Sequence, residues 1–178
     1  DENDVFVKIG TVDGLTTNYT DRGLCDENYE YYVQAAHPSE TWLSNSYKVE
    51  QRPIYTLNPL TSSVKNVSVV GEDQISIEWE ASTFSEFNNY KLLKYETDLS
   101  NLISTTDLTD NFLIDSDVKT NEKSYIYKVV EQDRCGYENL SDREGKSILL
   151  RGYYNDGSDL FWTEYLNWEA GVSHYNVE

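Results

Sequence analysis

The chain has 178 residues, which is enough for one or two domains, and its formal net charge at pH 7 is −18. A surface with so large an excess of carboxylates repels phosphate backbones and anionic headgroups, so we expect no nucleic-acid binding. No apolar run approaches the roughly 20 residues that span a bilayer, so we expect no membrane insertion either.

Apolar and polar residues alternate with a period of two at residues 29–33, 75–79 and 125–129. This alternation is typical of strands that bury one face and expose the other. Segments rich in Gly, Asn and Asp separate these runs, and no segment keeps a helical period over three turns. The 15 tyrosines also favour pleated surfaces, so the sequence predicts an all-β protein.

The middle of the chain, residues 61–150, contains seven predicted strands. A sandwich of two antiparallel sheets with seven strands is the immunoglobulin-like arrangement, and a segment of this length suffices for it. The predicted strands cover residues 64–69, 75–79, 89–95, 102–106, 111–115, 125–130 and 147–150.

The order of aromatic residues in this segment resembles that of a fibronectin type III domain. A strand ending in Trp79 comes first, then a Tyr-x-Leu strand at Tyr90, then a late Tyr-x-Tyr-x-Val strand at residues 125–129. The resemblance implies that Trp79 packs across the core against Tyr125 or Tyr127. The fold class that it implies is a set of tandem immunoglobulin-like, fibronectin type III-like β-sandwiches.

The two ends of the chain repeat the order of the middle. Residues 151–178, with Trp162 and a strand near the end, match the N-terminal half of a module, and residues 1–60 match the C-terminal half. Residues 61–150 form the complete module. The two halves either complete each other in space or are completed by another copy or by further sequence.

The pattern Tyr125-Ile126-Tyr127-Lys128-Val129 followed by Asp133-Arg134-Cys135-Gly136, with the Trp-x-x-Tyr of the tail, is similar to modules of Bacteroidetes surface proteins. Those proteins are adhesin-like or associated with gliding motility, and the type IX system secretes them. The resemblance implies a secreted, cell-surface, non-catalytic segment that acts as a spacer or adhesion array, with neighbouring modules as partners. The alternatives are a carbohydrate- or protein-binding module and an accessory domain of a large extracellular hydrolase.

Residues that could carry catalysis or hold a cofactor are sparse. His37 and His174 form no zinc-binding spacing, phosphate-binding glycine loops are absent, and Cys135 is better explained as a bystander than as a nucleophile. We therefore expect no enzyme and no cofactor.

The two cysteines could also form a disulfide. A bond between Cys25 and Cys135 requires modules that pack side by side.

Calcium is the one metal that the short acidic clusters could bind. These clusters do not match the calcium-binding loop pattern, and turn propensity explains them better. They are Asp107 with Asp110, Asp115 with Asp117, and residues 156–159.

Aromatic side chains in predicted loops or at strand ends are the candidate contacts for a glycan or protein ligand. Exposed Trp and Tyr can stack on sugars or anchor a partner, although filling the ends of a sandwich and the boundary between modules explains them more simply. The candidates are Trp42, Tyr137, Tyr153, Tyr154 and Trp168.

Overall fold

The computed structural model describes residues 5–39, 41–54, 62–154, 157–168 and 170–177. These residues form thirteen antiparallel strands and no helix, which confirms the all-β prediction for the described part of the chain. Among them, no helix has the length and apolar character needed to cross a membrane. The chain divides into two compact units, Asp1–Thr56 and Leu57–Glu178, and the predicted boundary at residues 60 and 61 lies outside the described residues.

The first unit is built on one interrupted hairpin. The outer ladder pairs Tyr31 with Val49, and the inner ladder pairs Gln34 with Asn45. Between the ladders, Ser46 N donates to Val33 O at 2.8 Å, and Val33 N donates to Ser46 Oγ at 2.9 Å. The strands are β1 (Tyr29–Tyr31), β2 (Gln34–Ala36), β3 (Leu43–Asn45) and β4 (Val49–Gln51).

The second unit contains two sheets that share one core. The three-stranded sheet has the order β5-β6-β9, and the four-stranded sheet has the order β11-β10-β7-β8. The strands of the first are β5 (Val64–Gly71), β6 (Gln74–Trp79) and β9 (Phe112–Asp115). Those of the second are β7 (Phe87–Glu96), β8 (Leu102–Leu108), β10 (Tyr125–Asp133) and β11 (Glu138–Lys146).

Six of the seven strands predicted between residues 61 and 150 are present, and the seventh was placed wrongly. The sequence predicted it at residues 147–150, whereas β11 covers Glu138–Lys146. This strand reads Glu-Asn-Leu-Ser-Asp-Arg-Glu-Gly-Lys, which has no apolar alternation. It lies at the edge of its sheet and its register shifts opposite Lys128–Val130, and edge strands commonly carry charged residues and bulges.

The core lies between the two sheets and gives the second unit its sandwich-like form. Trp79, Tyr127 and Val129 are fully buried, and they belong to the same cluster as Tyr90 and Tyr125. The Trp79 ring meets the Tyr90 ring edge to face at 5.5 Å between centroids. The aromatic residues singled out by the sequence therefore meet in one core.

After β11 the chain forms a further hairpin and then an irregular segment. The hairpin consists of β12 (Leu150–Tyr154) and β13 (Ser158–Trp162), with Leu150 opposite Trp162. The sequence also predicted a strand near residue 178, but residues 163–168 and 170–177 contain none, and Glu178 lies outside the described residues. A strand needs a paired neighbour, and no described segment forms a ladder with this one.

Candidate functional site

An open cavity of about 560 Å³ lies in the second unit, between β11 and the segment that follows β13. The irregular part of β11 lines one side with Asp142 and Glu144. Four aromatic rings line the other: Trp162, Tyr165, Trp168 and Tyr175. This cavity brings aromatic and charged side chains together and is the candidate site.

Three hydrogen bonds from backbone N–H groups fix the path of the segment that forms the aromatic side. Thr163 N donates to Leu149 O at 3.0 Å, and Leu149 N donates to Thr163 Oγ1 at 2.9 Å. Lys146 N then donates to Leu166 O at 3.0 Å. The chain leaving β13 is thus bonded to residues at and just beyond the end of β11, and it turns toward the free edge of β5.

Tyr165 and Trp168 cover that free edge. The Tyr165 hydroxyl accepts a hydrogen bond from Val67 N at 3.2 Å and donates to Asn66 Oδ1 at 3.2 Å. Trp168 Nε1 donates to Lys65 O at 3.2 Å. Since β5 is an edge strand, these side chains supply partners for backbone groups that have no neighbouring strand on that side.

The four rings also contact each other, in two pairs. The Tyr165 and Trp168 centroids are 4.7 Å apart, and those of Trp162 and Tyr175 are 5.4 Å apart. Tyr165 N donates to the Tyr175 hydroxyl at 3.2 Å, which links the two pairs. Tyr165 is only 7% exposed, whereas Trp168 is 53% exposed, so Trp168 offers the larger accessible surface.

The polar groups around the rings are mostly acidic. Asp142, Glu144 and Glu164 line the cavity with a single guanidinium, that of Arg143, and Glu144 Oε2 lies 3.5 Å from Lys128 Nζ. Asn167 Nδ2 is buried and has no hydrogen-bond partner among the described residues. Aromatic faces beside hydrogen-bonding groups suit binding of a hydroxyl-rich ligand or a polar loop.

Of the five candidate contacts predicted from the sequence, only Trp168 lines this cavity. Trp42 lies in the first unit, where its carbonyl accepts from His37 N at 2.9 Å and its side chain is 72% exposed. Tyr137 lies between β10 and β11, and Tyr153 and Tyr154 lie on β12.

The other three rings were not predicted as members of a site. Trp162 and Tyr165 were used only as the Trp-x-x-Tyr motif that carried the family resemblance, and Tyr175 only as part of the strand expected near the end of the chain. The spacing of Tyr165 and Trp168, three residues apart in a polar segment, is the signal that could have indicated them.

The acidic clusters and cysteines have other roles in the structure. Asp115 Oδ2 lies 2.9 Å from Lys94 Nζ, so a protein cation already neutralises that carboxylate. The described residues contain no group of three or more His, Cys, Asp or Glu side chains arranged to hold a metal, and Asp156 of the third cluster lies outside them.

Neither Cys25 nor Cys135 carries a free thiol, which removes Cys135 as a nucleophile.

No protein-family model matches the chain, and no curated protein matches it.

Proposed function

We propose that the chain is a non-catalytic segment of an array of fibronectin type III-like modules, exposed at a bacterial cell surface and acting as a spacer or adhesive segment. The observation that carries the proposal is a set of side-chain hydrogen bonds in the complete sandwich that recurs in the two partial modules. Each recurrence joins residues in matching order along the chain.

The sandwich of the second unit has features of this fold family. Its seven strands form antiparallel sheets of three and four strands around a tryptophan of the early strand β6. At the start of β10, the Tyr125 hydroxyl accepts a hydrogen bond from Lys119 N at 3.0 Å. A tyrosine at this corner that bonds the backbone a few residues upstream is a hallmark of immunoglobulin-like sandwiches.

The contacts of the early half of the sandwich recur after residue 150. The ring centroids of Trp79 and Tyr90 are 5.5 Å apart, and the Tyr90 hydroxyl accepts a hydrogen bond from the backbone N of Ser82 at 2.6 Å. The ring centroids of Trp162 and Tyr175 are 5.4 Å apart, and the Tyr175 hydroxyl accepts a hydrogen bond from the backbone N of Tyr165 at 3.2 Å. In both cases the donor follows the tryptophan by three residues, which supports a repeated early half.

The contacts of the late half recur before residue 57. The Tyr29 hydroxyl accepts from Cys25 N at 3.1 Å, as the hydroxyl of Tyr125 does from Lys119 N. The hydroxyl two residues further on donates to an aspartate in both copies, Tyr31 to Asp21 at 3.1 Å and Tyr127 to Asp115 at 2.9 Å.

These recurrences support the interpretation of residues 1–60, 61–150 and 151–178 as a late half, a whole module and an early half. Such modules serve as rigid units in series, which suits a spacer. The absence of free thiols among the two cysteines suits an oxidising, extracytoplasmic compartment, and the net charge of −18 suits solubility there. Export by the type IX route is part of the proposal through the sequence resemblance.

Surface exposure in the source organism tests this proposal. Antibodies raised against the purified chain should label intact cells, and proteinase K added to those cells should remove the label. A signal that appears only after the cells are lysed would contradict the proposal. A cytoplasmic protein of the same cells, probed in parallel, controls for lysis.

Binding of a carbohydrate in the cavity is a second candidate function, and the exposed Trp168 ring beside the acidic groups favours it. A glycan array on the whole chain should then give hits that Trp168→Phe weakens and Trp168→Ala abolishes, because the stacking surface shrinks and then disappears. Trp42→Ala removes a more exposed tryptophan from the other unit and should leave the hits unchanged. An array without hits, or hits that Trp168→Ala retains, would exclude this function for the cavity.

A further inference from the structure

We propose that Tyr165 and Trp168 form a fixed joint between consecutive modules, so that the β12–β13 hairpin and the sandwich before it move as one body. The joint consists of residues 163–168 on one side, and residues 65–67 with 146–149 on the other. The inference rests on the proposed function only in assigning β12–β13 to the next module. Its contacts and its test concern the second unit alone.

Two modules in series move independently unless the interface between them is large or specifically bonded. Here three side-chain hydrogen bonds join Tyr165 and Trp168 to residues 65–67 of β5. A backbone bond from Lys146 N to Leu166 O joins the same segment to the end of β11. The segment therefore touches the edges of both sheets of the sandwich, and rotation about any one of these contacts breaks the others.

Burial makes these hydrogen bonds strong restraints. Tyr165 is 7% exposed and packs against Trp168, so water does not readily replace its hydroxyl at Val67 N. A buried backbone N–H that loses its acceptor pays the full cost of desolvation. Opening the joint would leave Val67 N without this acceptor and would expose the free edge of β5.

The aromatic pair is particular to this boundary. Tyr165 and Trp168 follow Trp162 by three and six residues, and the matching positions after Trp79 are Ser82 and Ser85. Serine has neither the reach to a neighbouring strand nor a ring to bury. The partner that fits the β5 edge is therefore a following module that carries a Tyr-x-x-Trp segment.

Tyr165→Phe on the whole chain tests the joint, because it keeps the ring and removes the hydroxyl. We expect the Val67 amide to exchange with deuterium about tenfold faster, since it loses its acceptor, while the Ile77 amide in β6 is unchanged. Tyr154→Phe removes the hydroxyl of a residue that is 90% exposed and should alter neither rate. Unchanged exchange at Val67 in Tyr165→Phe would contradict the hydrogen bond on which the joint depends.

Backbone ¹⁵N relaxation measures the movement itself. In the unaltered chain we expect the same rotational correlation time for amides of β13 and of β6. The double variant Tyr165→Phe/Trp168→Ala should shorten the correlation time of β13 alone. A hairpin that already tumbles separately in the unaltered chain would overturn the fixed joint. That result would leave the surface-array proposal standing, whereas absence from the cell surface would leave the joint standing.

Discussion

The ion pair between Lys94 and Asp115 fastens the two sheets of the sandwich together, and its removal should be costly. Lys94 lies on β7 of the four-stranded sheet, and Asp115 ends β9 of the three-stranded sheet. Their charged atoms are 2.9 Å apart, and the side chains are only 5% and 10% exposed. Removing one partner of a buried pair costs about 3–5 kcal/mol, because the other charge stays buried without compensation.

The surroundings of each charge predict which single substitution is worse. After Lys94→Met, the Asp115 carboxylate still accepts hydrogen bonds from the Tyr127 hydroxyl and from Asp117 N, both at 2.9 Å. We therefore expect the free energy of unfolding to fall by about 3 kcal/mol. After Asp115→Leu, the Lys94 ammonium keeps the Asp117 carbonyl, the Tyr125 ring at 5.1 Å from its centroid, and the Asp117 carboxylate at 3.8 Å. That carboxylate is fully exposed, so solvent screens its charge, and the Tyr127 hydroxyl loses its acceptor. We expect this loss to approach about 5 kcal/mol.

The double variant Lys94→Met/Asp115→Leu removes both charges and should be more stable than Asp115→Leu alone. The double variant also removes the two hydrogen bonds of the Asp117 backbone, but Asp117 is exposed and water can replace them. The buried group that loses its partner is the Tyr127 hydroxyl, which costs about 1–3 kcal/mol. Adding Tyr127→Phe should recover most of that loss.

Urea unfolding of the whole chain, followed by tryptophan fluorescence, measures these differences. A loss of 3 kcal/mol moves the midpoint by about 1.5 M when the slope is about 2 kcal/mol per M. Lys91→Met is the matched control, because Lys91 also pairs with a carboxylate, that of Glu138, but at the surface, and its midpoint should stay unchanged. If the losses of Lys94→Met and Asp115→Leu simply add in the double variant, the two charges do not interact and the reasoning is refuted.

Two further predictions concern the same sandwich. Gly145→Ala should destabilise it by about 1–3 kcal/mol, because the new Cβ would lie 2.5 Å from Val67 Cγ2 and 2.7 Å from Val64 Cγ1. Gly14→Ala meets nothing within 4 Å and should leave the thermal midpoint unchanged. Burial, and then the neighbouring Asp115 carboxylate, raise the pKa of Tyr127 above its ordinary 10.0. Above pH 10 the unfolded chain releases this proton and the folded chain keeps it, so stability should fall by about 1.4 kcal/mol per pH unit. Urea unfolding at several pH values should show a smaller fall for Tyr127→Phe, and an identical fall would contradict the burial of this hydroxyl.

Strand prediction from the sequence succeeded where the buried face of a strand is apolar. It failed for β11, whose buried positions are the small residues Ser141 and Gly145. Residues 75–79 and 125–129 alternate because Ile75, Ile77 and Trp79, like Tyr127 and Val129, point into one core. The strand β11 has no alternation to detect, since it lies at a sheet edge and is rich in charged residues. Its position is set by pairing with β10, which the sequence does not reveal.

The candidate site was predictable only in part, because its contacts join residues distant in the chain. Trp168 drew attention as an aromatic residue in a polar segment. Its partner Lys65 lies 103 positions away, and Val67 lies 98 positions from Tyr165. Periodicity reports which face of an element is buried, but not which edge a later loop covers.

One hydrogen-bonding role recurs among the tyrosines of this chain. In the part of the chain that the structure describes, five tyrosine hydroxyls accept a hydrogen bond from a backbone N–H: those of Tyr29, Tyr90, Tyr125, Tyr165 and Tyr175. An amide where the chain leaves a ladder, or at a free sheet edge, needs an acceptor, and a tyrosine ring can pack in the core while its hydroxyl reaches outward to supply one. Phenylalanine fills the same space without this acceptor, so these five of the 15 tyrosines have a role that phenylalanine cannot take. The bonds of Tyr29, Tyr90, Tyr125 and Tyr175 stabilise turns within modules, and that of Tyr165 extends the same chemistry to the contact between one module and the next.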